Sequence, residues 1–316
     1  MKKKVRRFLA HLLVRALIIM TRILPREFGL SFFSRIGHIA YLLYEKDRKM
    51  ALENISIAFP EIDGMVVEAM AKGSFGALGR NVFDALSLSH IDSGRVLELC
   101  VVDGEENLKK AYEEGKGVVA ITGHIGCWEL LGAYLSRKGY RVNVIANELV
   151  DKTLDKWIVD LRERNGLTQI PIGKNIIKAM NALMRGEILG VLIDQDMDIE
   201  GIFVPFFGVP AYTPTGSAEI ALKTGAAVVP MAIHMQPDGM HRITILKKIE
   251  PPSEDKPYEE RVREFTVKFT EAVERLIRLY PQQWVWFHDR WRKSREKGLV
   301  GSAIGESVAE QTKMVI

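Results

Sequence analysis

From residue 117 onward, short apolar runs alternate with longer amphipathic stretches, and this alternation constrains the fold more than any other feature of the chain. Gly117–Thr122 (GVVAIT), Arg141–Ala146, Gln169–Ile172 and Ile188–Ile193 are too short for buried helices and read as strands. Between and after them, Cys127–Arg137, Lys152–Arg164, Ile176–Arg185 and Thr215–Lys223 have helical spacing. Ala227–Met235 and His241–Ile249 flank Pro237-Asp238-Gly239 and suit a hairpin, and Glu259–Leu279 is one long amphipathic helix. Upstream, residues 46–57 and 63–90 are helical by spacing and separated at Phe59-Pro60. The pattern implies one α/β domain over 46–293, a central mixed sheet flanked by helices. Residues 294–316 are small and polar without a period and read as a flexible tail. With 47% hydrophobic and 27% charged residues the chain has ordinary globular usage, so fibrous and wholly disordered classes are excluded.

Residues 1–45 form a separate basic helical segment. The formal net charge of +4 hides a split, because residues 1–50 hold 12 Lys/Arg against 3 Asp/Glu, a balance of +9 that leaves −5 for the rest. Phe8–Leu24 is apolar but interrupted by His11, Arg15 and Arg22, so it falls short of a clean spanning run. On a helical wheel, Lys4, Arg7, His11, Arg15 and Arg22 make a narrow basic stripe on an otherwise apolar helix, which suits an anionic membrane surface. Gly29–Tyr44 is a second apolar helical stretch with Arg35 and His38 embedded in it. Burial in a soluble domain is the plain alternative, and an in-plane amphipathic helix and a tilted membrane-spanning helix both stay open. No small-x-small cleavage site precedes Pro25, which argues against a signal peptide. Cys100 and Cys127 make neither a disulfide framework nor a CxxC site, consistent with chemistry in a reducing compartment.

The segment richest in chemistry is Thr122-Gly-His-Ile-Gly-Cys-Trp-Glu129. A strand ends, two glycines turn the chain and a helix begins, which sets His124 beyond the carboxyl end of a strand, where open α/β sheets bind ligands. Glu129 falls in the first helical turn and is expected to reach back to the imidazole, fixing its tautomer and steadying the imidazolium. A structural histidine and a dipole-capping glutamate are the plain alternatives. Cys127 is more simply a small buried residue than a nucleophile.

Around this pair, further segments stand in a fixed order. Asn54-Ile-Ser-Ile-Ala-Phe-Pro-Glu61 comes first, then Arg162-Glu-Arg164-Asn-Gly166, then Asp194-Gln-Asp196. Phe203-Val-Pro-Phe-Phe-Gly208 and Thr213-Pro-Thr-Gly216 follow, and Thr224-Gly-Ala226 through Pro230. Pro281-Gln-Gln-Trp284, Trp286-Phe-His288 and Arg290-Trp291 close the series. In this arrangement, and in its His-x4-acidic spacing, the chain resembles the bacterial lipid A late acyltransferases, lauroyl and myristoyl transferases, and their relatives that acylate phosphatidylinositol mannosides. The resemblance spans about residues 8–292.

The resemblance implies an acyltransferase-type domain that moves an acyl chain from acyl carrier protein, or a coenzyme A thioester, to a lipid hydroxyl. His124 would be the general base and Glu129 its partner, with no cofactor and no metal. It implies Arg164, and with it Arg162, as grips for a phosphate of an anionic glycolipid acceptor, since a guanidinium fork matches phosphate oxygens. Exposed arginines at a helix end are the plain reading. Asp194 and Asp196 would line the site and organise basic groups. A calcium loop is disfavoured there, because Ile199 and Pro205 stand where such a loop needs glycine and glutamate. The apolar connection 201–208, with Phe203 and Phe206, suits either an acyl-chain channel or a plug in the core. Trp284, Trp286 and Trp291 read as packed structure rather than an interfacial belt. The expected location is the inner membrane, with the catalytic domain on its cytoplasmic face.

Glycerolipid acyltransferases carry aspartate at the Glu129 position and a Phe-Pro-Glu-Gly-Thr-Arg-like block that is missing here, which moves the acceptor toward a saccharide lipid. A membrane-surface thioesterase or lipid hydrolase using the same pair on water is the main rival, although no Gly-x-Ser-x-Gly elbow is present. A non-enzymatic lipid binder leaves the His/Glu pair unexplained. Nucleic acid is not an expected partner, because the basic residues sit among apolar ones and the body is acidic.

Overall fold

A computed structural model describes residues 2–173 and 175–300. Among these, four helices come first: α1 (Lys2–Ile23), α2 (Arg26–Leu43), α3 (Glu45–Ala58) and α4 (Gly64–Ser87). Then follow α5 (Ser93–Glu98), β1 (Cys100–Asp103), α6 (Glu105–Glu113), β2 (Val118–Thr122), α7 (Trp128–Arg137), β3 (Val142–Ala146), α8 (Lys152–Arg164) and β4 (Leu167–Pro171). Next are α9 (Ile176–Met184), β5 (Ile188–Leu192), β6 (Gly201–Phe206), β7 (Val209–Pro214), α10 (Gly216–Thr224), β8 (Ala227–Met235) and β9 (His241–Ile245). The chain then runs through α11 (Tyr258–Leu279), a 3-10 turn (Pro281–Gln283) and α12 (Arg292–Glu296).

Seven strands form one mixed sheet in the order β1-β9-β8-β2-β5-β3-β4. β2, β5, β3, β4 and β8 run parallel, while β9 returns antiparallel to β8 through the Pro237-Asp-Gly turn. β2 is central and buried along its whole length, which is why it reads as a continuous apolar run. Its alternate residues enter different cores. Val119 and Ile121 pack with Phe265, Phe269 and Val273 of α11, whereas Val118 and Ala120 pack with Leu130 and Leu131 of α7. The sheet therefore carries helices on both faces, as the alternation requires.

Two parts depart from expectation. The connection 201–208 is strand β6 and the start of a separate two-stranded hairpin, with Gly201 opposite Pro214 and Phe206 opposite Val209. Phe207 and Gly208 at its tip take positive φ, 52° and 76°, the geometry of a two-residue hairpin turn. Prolines at 205, 210 and 214 each remove one ladder N–H from this ribbon. The start of the tail expected from 294 is ordered instead, because α12 continues to Glu296 and buried Ser294 donates to the Pro210 carbonyl at 2.6 Å. Residues 301–316 lie outside the described residues.

The membrane-spanning alternative for the amino end is corrected. Among the described residues, no helix is long and apolar enough to cross a membrane. Arg15 and Arg22 interrupt α1, and Arg26, Glu27 and Arg35 interrupt α2. α1 instead lays Leu17, Ile18 and Met20 against a core of Leu30, Phe33, Phe83 and Leu86, and α2 packs along α4.

Candidate functional site

The site forms where β2 and β5, parallel neighbours, end side by side. From β2 the chain passes through Gly123-His124-Ile125-Gly126 into α7; from β5 it passes through Ile193 to Asp194. Both glycines are required by close approaches. A Cβ at Gly123 would lie 2.8 Å from Asp194 Oδ2, and one at Gly126, where φ is 58°, would lie 2.0 Å from the Ile233 carbonyl oxygen. The loop is pinned from the other side as well, since Gly126 N–H donates to the Gln283 carbonyl at 2.9 Å and Ile125 bridges to Trp284.

Asp194 is buried and accepts three hydrogen bonds. The His124 backbone N–H donates to Oδ2 at 2.6 Å, Trp284 Nε1–H to the same oxygen at 2.6 Å, and His124 Nδ1 lies 2.8 Å from Oδ1. Burial pushes this carboxyl up, but the His124 charge and these donors outweigh it and hold it down at about 2. An ionised carboxylate is an acceptor only, so Nδ1 carries a proton in either charge state of the ring, and whenever the ring is neutral it is Nε2 that presents a lone pair. The ring is partly exposed and packs edge-on against Trp128, with centroids 5.0 Å apart, and Gln195 Nε2 stands 3.4 Å from His124 Nε2.

The expected pairing of Glu129 with His124 is therefore corrected. Glu129, in the first turn of α7, takes Arg162 instead: Arg162 Nε donates to Oε2 at 3.0 Å and Nη2 to Oε1 at 2.5 Å. Arg162 Nη1 also donates to Gln169 Oε1 at 2.5 Å. A two-pronged charged pair is a stronger claim on a carboxylate than one hydrogen bond from a neutral ring. Sequence reasoning did name Asp194, but as a wall residue, and it assigned Trp284 to packing alone. A buried indole N–H beside a buried aspartate was the available signal, because both need partners.

The other candidates separate. Arg164 is exposed at the end of α8, its carbonyl accepting from Arg137. Asp196 is buried and bonded to Arg292 Nη2 at 3.2 Å and the Lys293 backbone N–H at 2.9 Å, so it ties the loop after β5 to α12. Phe206 lies wholly in the core, 5.7 Å from Trp284 and 5.6 Å from Trp291 between centroids, and Phe203 packs on Tyr212. Phe206 follows the core-plug reading, and the channel expectation is corrected for it, whereas Phe203 is only half-buried, with Lys297 Nζ 4.8 Å from its ring centroid. The apolar space lies elsewhere, in a cavity of 340 Å³ walled by Ile145, Ile170, Ala179, Val191, Ile193 and Ile220. It opens beside the residue that precedes Asp194. Cys127 is buried and its thiol is pushed well up by that burial, so it stays protonated and is no nucleophile.

The family described as bacterial lipid A biosynthesis acyltransferase matches residues 2–293. Among curated proteins, the phosphatidylinositol mannoside acyltransferase of Mycobacterium tuberculosis (strain ATCC 25618 / H37Rv) is 28% identical over 161 residues, 50% of this chain and 51% of that protein. The chain thus spans about half the length of that relative. The lipid A biosynthesis lauroyltransferase of Escherichia coli (strain K12) is 25% identical over 272 residues, covering 84% of this chain and 85% of its own. The palmitoleoyltransferase of the same organism is 26% identical over 268 residues, 82% and 83% of the two chains.

Proposed function

The chain belongs to the bacterial lipid A biosynthesis acyltransferase family, and from that premise we propose that it transfers a fatty acyl group from a thioester, carried on acyl carrier protein or coenzyme A, to a hydroxyl of a lipid A precursor or similar glycolipid. The observation that carries this reading is His124 Nδ1 held 2.8 Å from Oδ1 of buried Asp194, which supports Nε2 as the base. In the proposed reaction Nε2 takes the proton from the acceptor hydroxyl as its oxygen attacks the thioester carbonyl. Asp194 steadies the imidazolium. When the tetrahedral intermediate collapses, the C–S bond breaks and the imidazolium returns its proton to the departing thiolate, leaving ester, thiol and neutral His124. Positioned proton transfer of this kind contributes about 10²–10⁴-fold, or roughly 3–5 kcal/mol of barrier.

The cavity beside Ile193 supports a place for the acyl chain, since an apolar pocket is favoured to hold a hydrocarbon. Arg162, already oriented by Glu129, keeps unused N–H groups for a phosphate oxygen, and exposed Arg164 is a second cation near the same helix end. The reaction is proposed to run on the cytoplasmic face of the inner membrane. Similarity to phosphatidylinositol mannoside acyltransferases favours a mannoside lipid as the second acceptor to try.

The test is transfer itself. Purified protein with C12–C14 acyl carrier protein and a phosphorylated disaccharide lipid, or a phosphatidylinositol mannoside, is expected to yield an added ester by mass spectrometry, and His124→Ala to yield none while keeping its circular dichroism. Free fatty acid released at the same rate with and without acceptor would instead establish a hydrolase.

A further inference from the structure

One edge of the α2–α4 pair carries four cationic or cation-capable side chains and no carboxylate bound to them. On α4, Lys72, Gly76 and Arg80 recur every fourth residue and share a face. On α2, Ser34 and His38 lie against that face, because Gly76 has no side chain: a Cβ there would sit 2.4 Å from His38 Nε2 and 3.0 Å from Ser34 Oγ. Arg80 Nη1 donates to Ser34 Oγ at 3.1 Å, and Arg35, three positions before His38, is exposed on the same side of α2. Among the described residues none of the four is in an ion pair. Burial lowers the Arg80 guanidinium with no acid to offset it, and His38 is lowered by burial and then by the charges of Lys72 and Arg80. Of the acids one turn away on α4, Asp84 is held by Arg26 and His241, and exposed Glu68 makes no ion pair among the described residues.

The outward face of α2 beside this cluster is apolar. Phe28, Phe32, Ile39, Leu42 and Leu43 are exposed there, Phe28 and Leu43 each by 73%, while the opposite face packs on α4. A helix apolar on both faces that cannot cross a bilayer has one side left to cover. Cations along one margin and large apolar side chains next to them match a phospholipid, phosphate beside chain. The helix that carries Lys72 and Arg80 also borders the loop that holds His124. Gln282 stands against Gly73, Gln283 accepts from Gly126, and the Asn81 carbonyl, next to Arg80, meets Cys127 Sγ at 3.5 Å.

We propose that Arg35, His38, Lys72 and Arg80 bind the phosphate of an anionic membrane phospholipid, with the outer face of α2 set into the same leaflet. This deepens the membrane location in the reading above and rests on it only for the side of the membrane, not for the chemistry.

Vesicle co-sedimentation tests it, using phosphatidylcholine vesicles with and without phosphatidylglycerol. Wild-type chain is expected to prefer the anionic vesicles, and Lys72→Gln/Arg80→Gln to bind them about thirtyfold more weakly, two surface charges being lost. Ile39→Asp/Leu43→Asp is expected to lose both vesicle types. Should Arg80→Gln fail to fold, Arg35→Gln/Lys72→Gln, both at exposed side chains, is expected to show the same loss. The control is Lys46→Gln/Lys49→Gln on α3. An equal loss there means general attraction rather than a site, and overturns the proposal. So does unaltered preference in the α4 variant, or release of the protein from vesicles by millimolar inorganic phosphate, which marks a small-anion site. Wild-type protein that binds vesicles but transfers no acyl group removes the acyltransfer reading and leaves this one standing.

Discussion

Asp194 is 70 residues from His124 in sequence yet supplies its partner, and the consequences of that pairing are testable. Asn at 194 keeps the size but can offer an N–H where Nδ1–H needs an acceptor, so the ring is driven toward the other tautomer, with the proton on Nε2. Asp194→Asn is expected to lower kcat by about 10²–10⁴-fold with KM for the acceptor changed only a few-fold. Glu129→Gln, which releases Arg162 rather than His124, is expected to raise that KM more than it lowers kcat. Steady-state kinetics on both variants separates the roles, and the reverse split would return Glu129 to the imidazole. His124 was legible because strand, glycine turn and helix follow one another in sequence. Its partner was not, because only the order of strands in the sheet brings the end of β5 beside the end of β2. Glu129 has a plausible spacing, but spacing along one helix says nothing of the arginine that α8 brings opposite.

At the scale of elements, the long periodic segments were legible and the short half-buried ones were not. Lys152–Arg164 and Ala227–Met235 have the bounds their spacing implies, since each keeps one period throughout. β1 is only Cys100–Asp103, at the sheet edge with alternate residues exposed, and α5 and α6 beside it bury few side chains. Nor does periodicity reveal how closely two helices pass. α2 and α4 cross on glycines: a Cβ at Gly37 would lie 2.0 Å from the Phe75 carbonyl oxygen, and one at Gly79 would lie 2.1 Å from that of Phe33. Helix backbone cannot yield as a side-chain tip does, so a single methyl must part the helices. Gly79→Ala is expected to cost about 1–3 kcal/mol, as overpacking does, despite the better helix propensity of alanine. Urea unfolding checks the sign, and a gain in stability would mean the helices are free to separate at no cost.

Across the whole molecule, the basic amino end and the acidic body are joined through a buried carboxylate. Asp84 on α4 receives Arg26 Nε at 2.9 Å and Nη2 at 2.7 Å from the start of α2, and His241 Nε2 on β9 lies 2.7 Å from it. Arg26 Nη2 also donates to the Gly239 carbonyl at 2.8 Å, so one cluster ties two helices to the sheet and its hairpin turn. Burial pushes the Asp84 carboxyl up, but hydrogen bonds from His241 and Arg26 bring it below the usual range. A carboxyl lowered by folding adds stability that is fully present above its unfolded value, near 4, and is lost as pH falls through the folded one. Asp194, held at about 2, acts in the same direction, so the fold is expected to weaken steadily below about pH 4. Asp84→Ala removes the shared acceptor and strands Arg26 and His241, which is expected to cost about 3–5 kcal/mol. Arg26→Met leaves Asp84 one partner and is expected to cost less. Because the cluster is the polar weld between α2 and the sheet, the loss should fall first on the amino-terminal helices. Hydrogen exchange of residues 26–43 is then expected to rise in Asp84→Ala ahead of β2 and β8, and uniform acceleration across the chain would show instead that helices and sheet unfold as one unit.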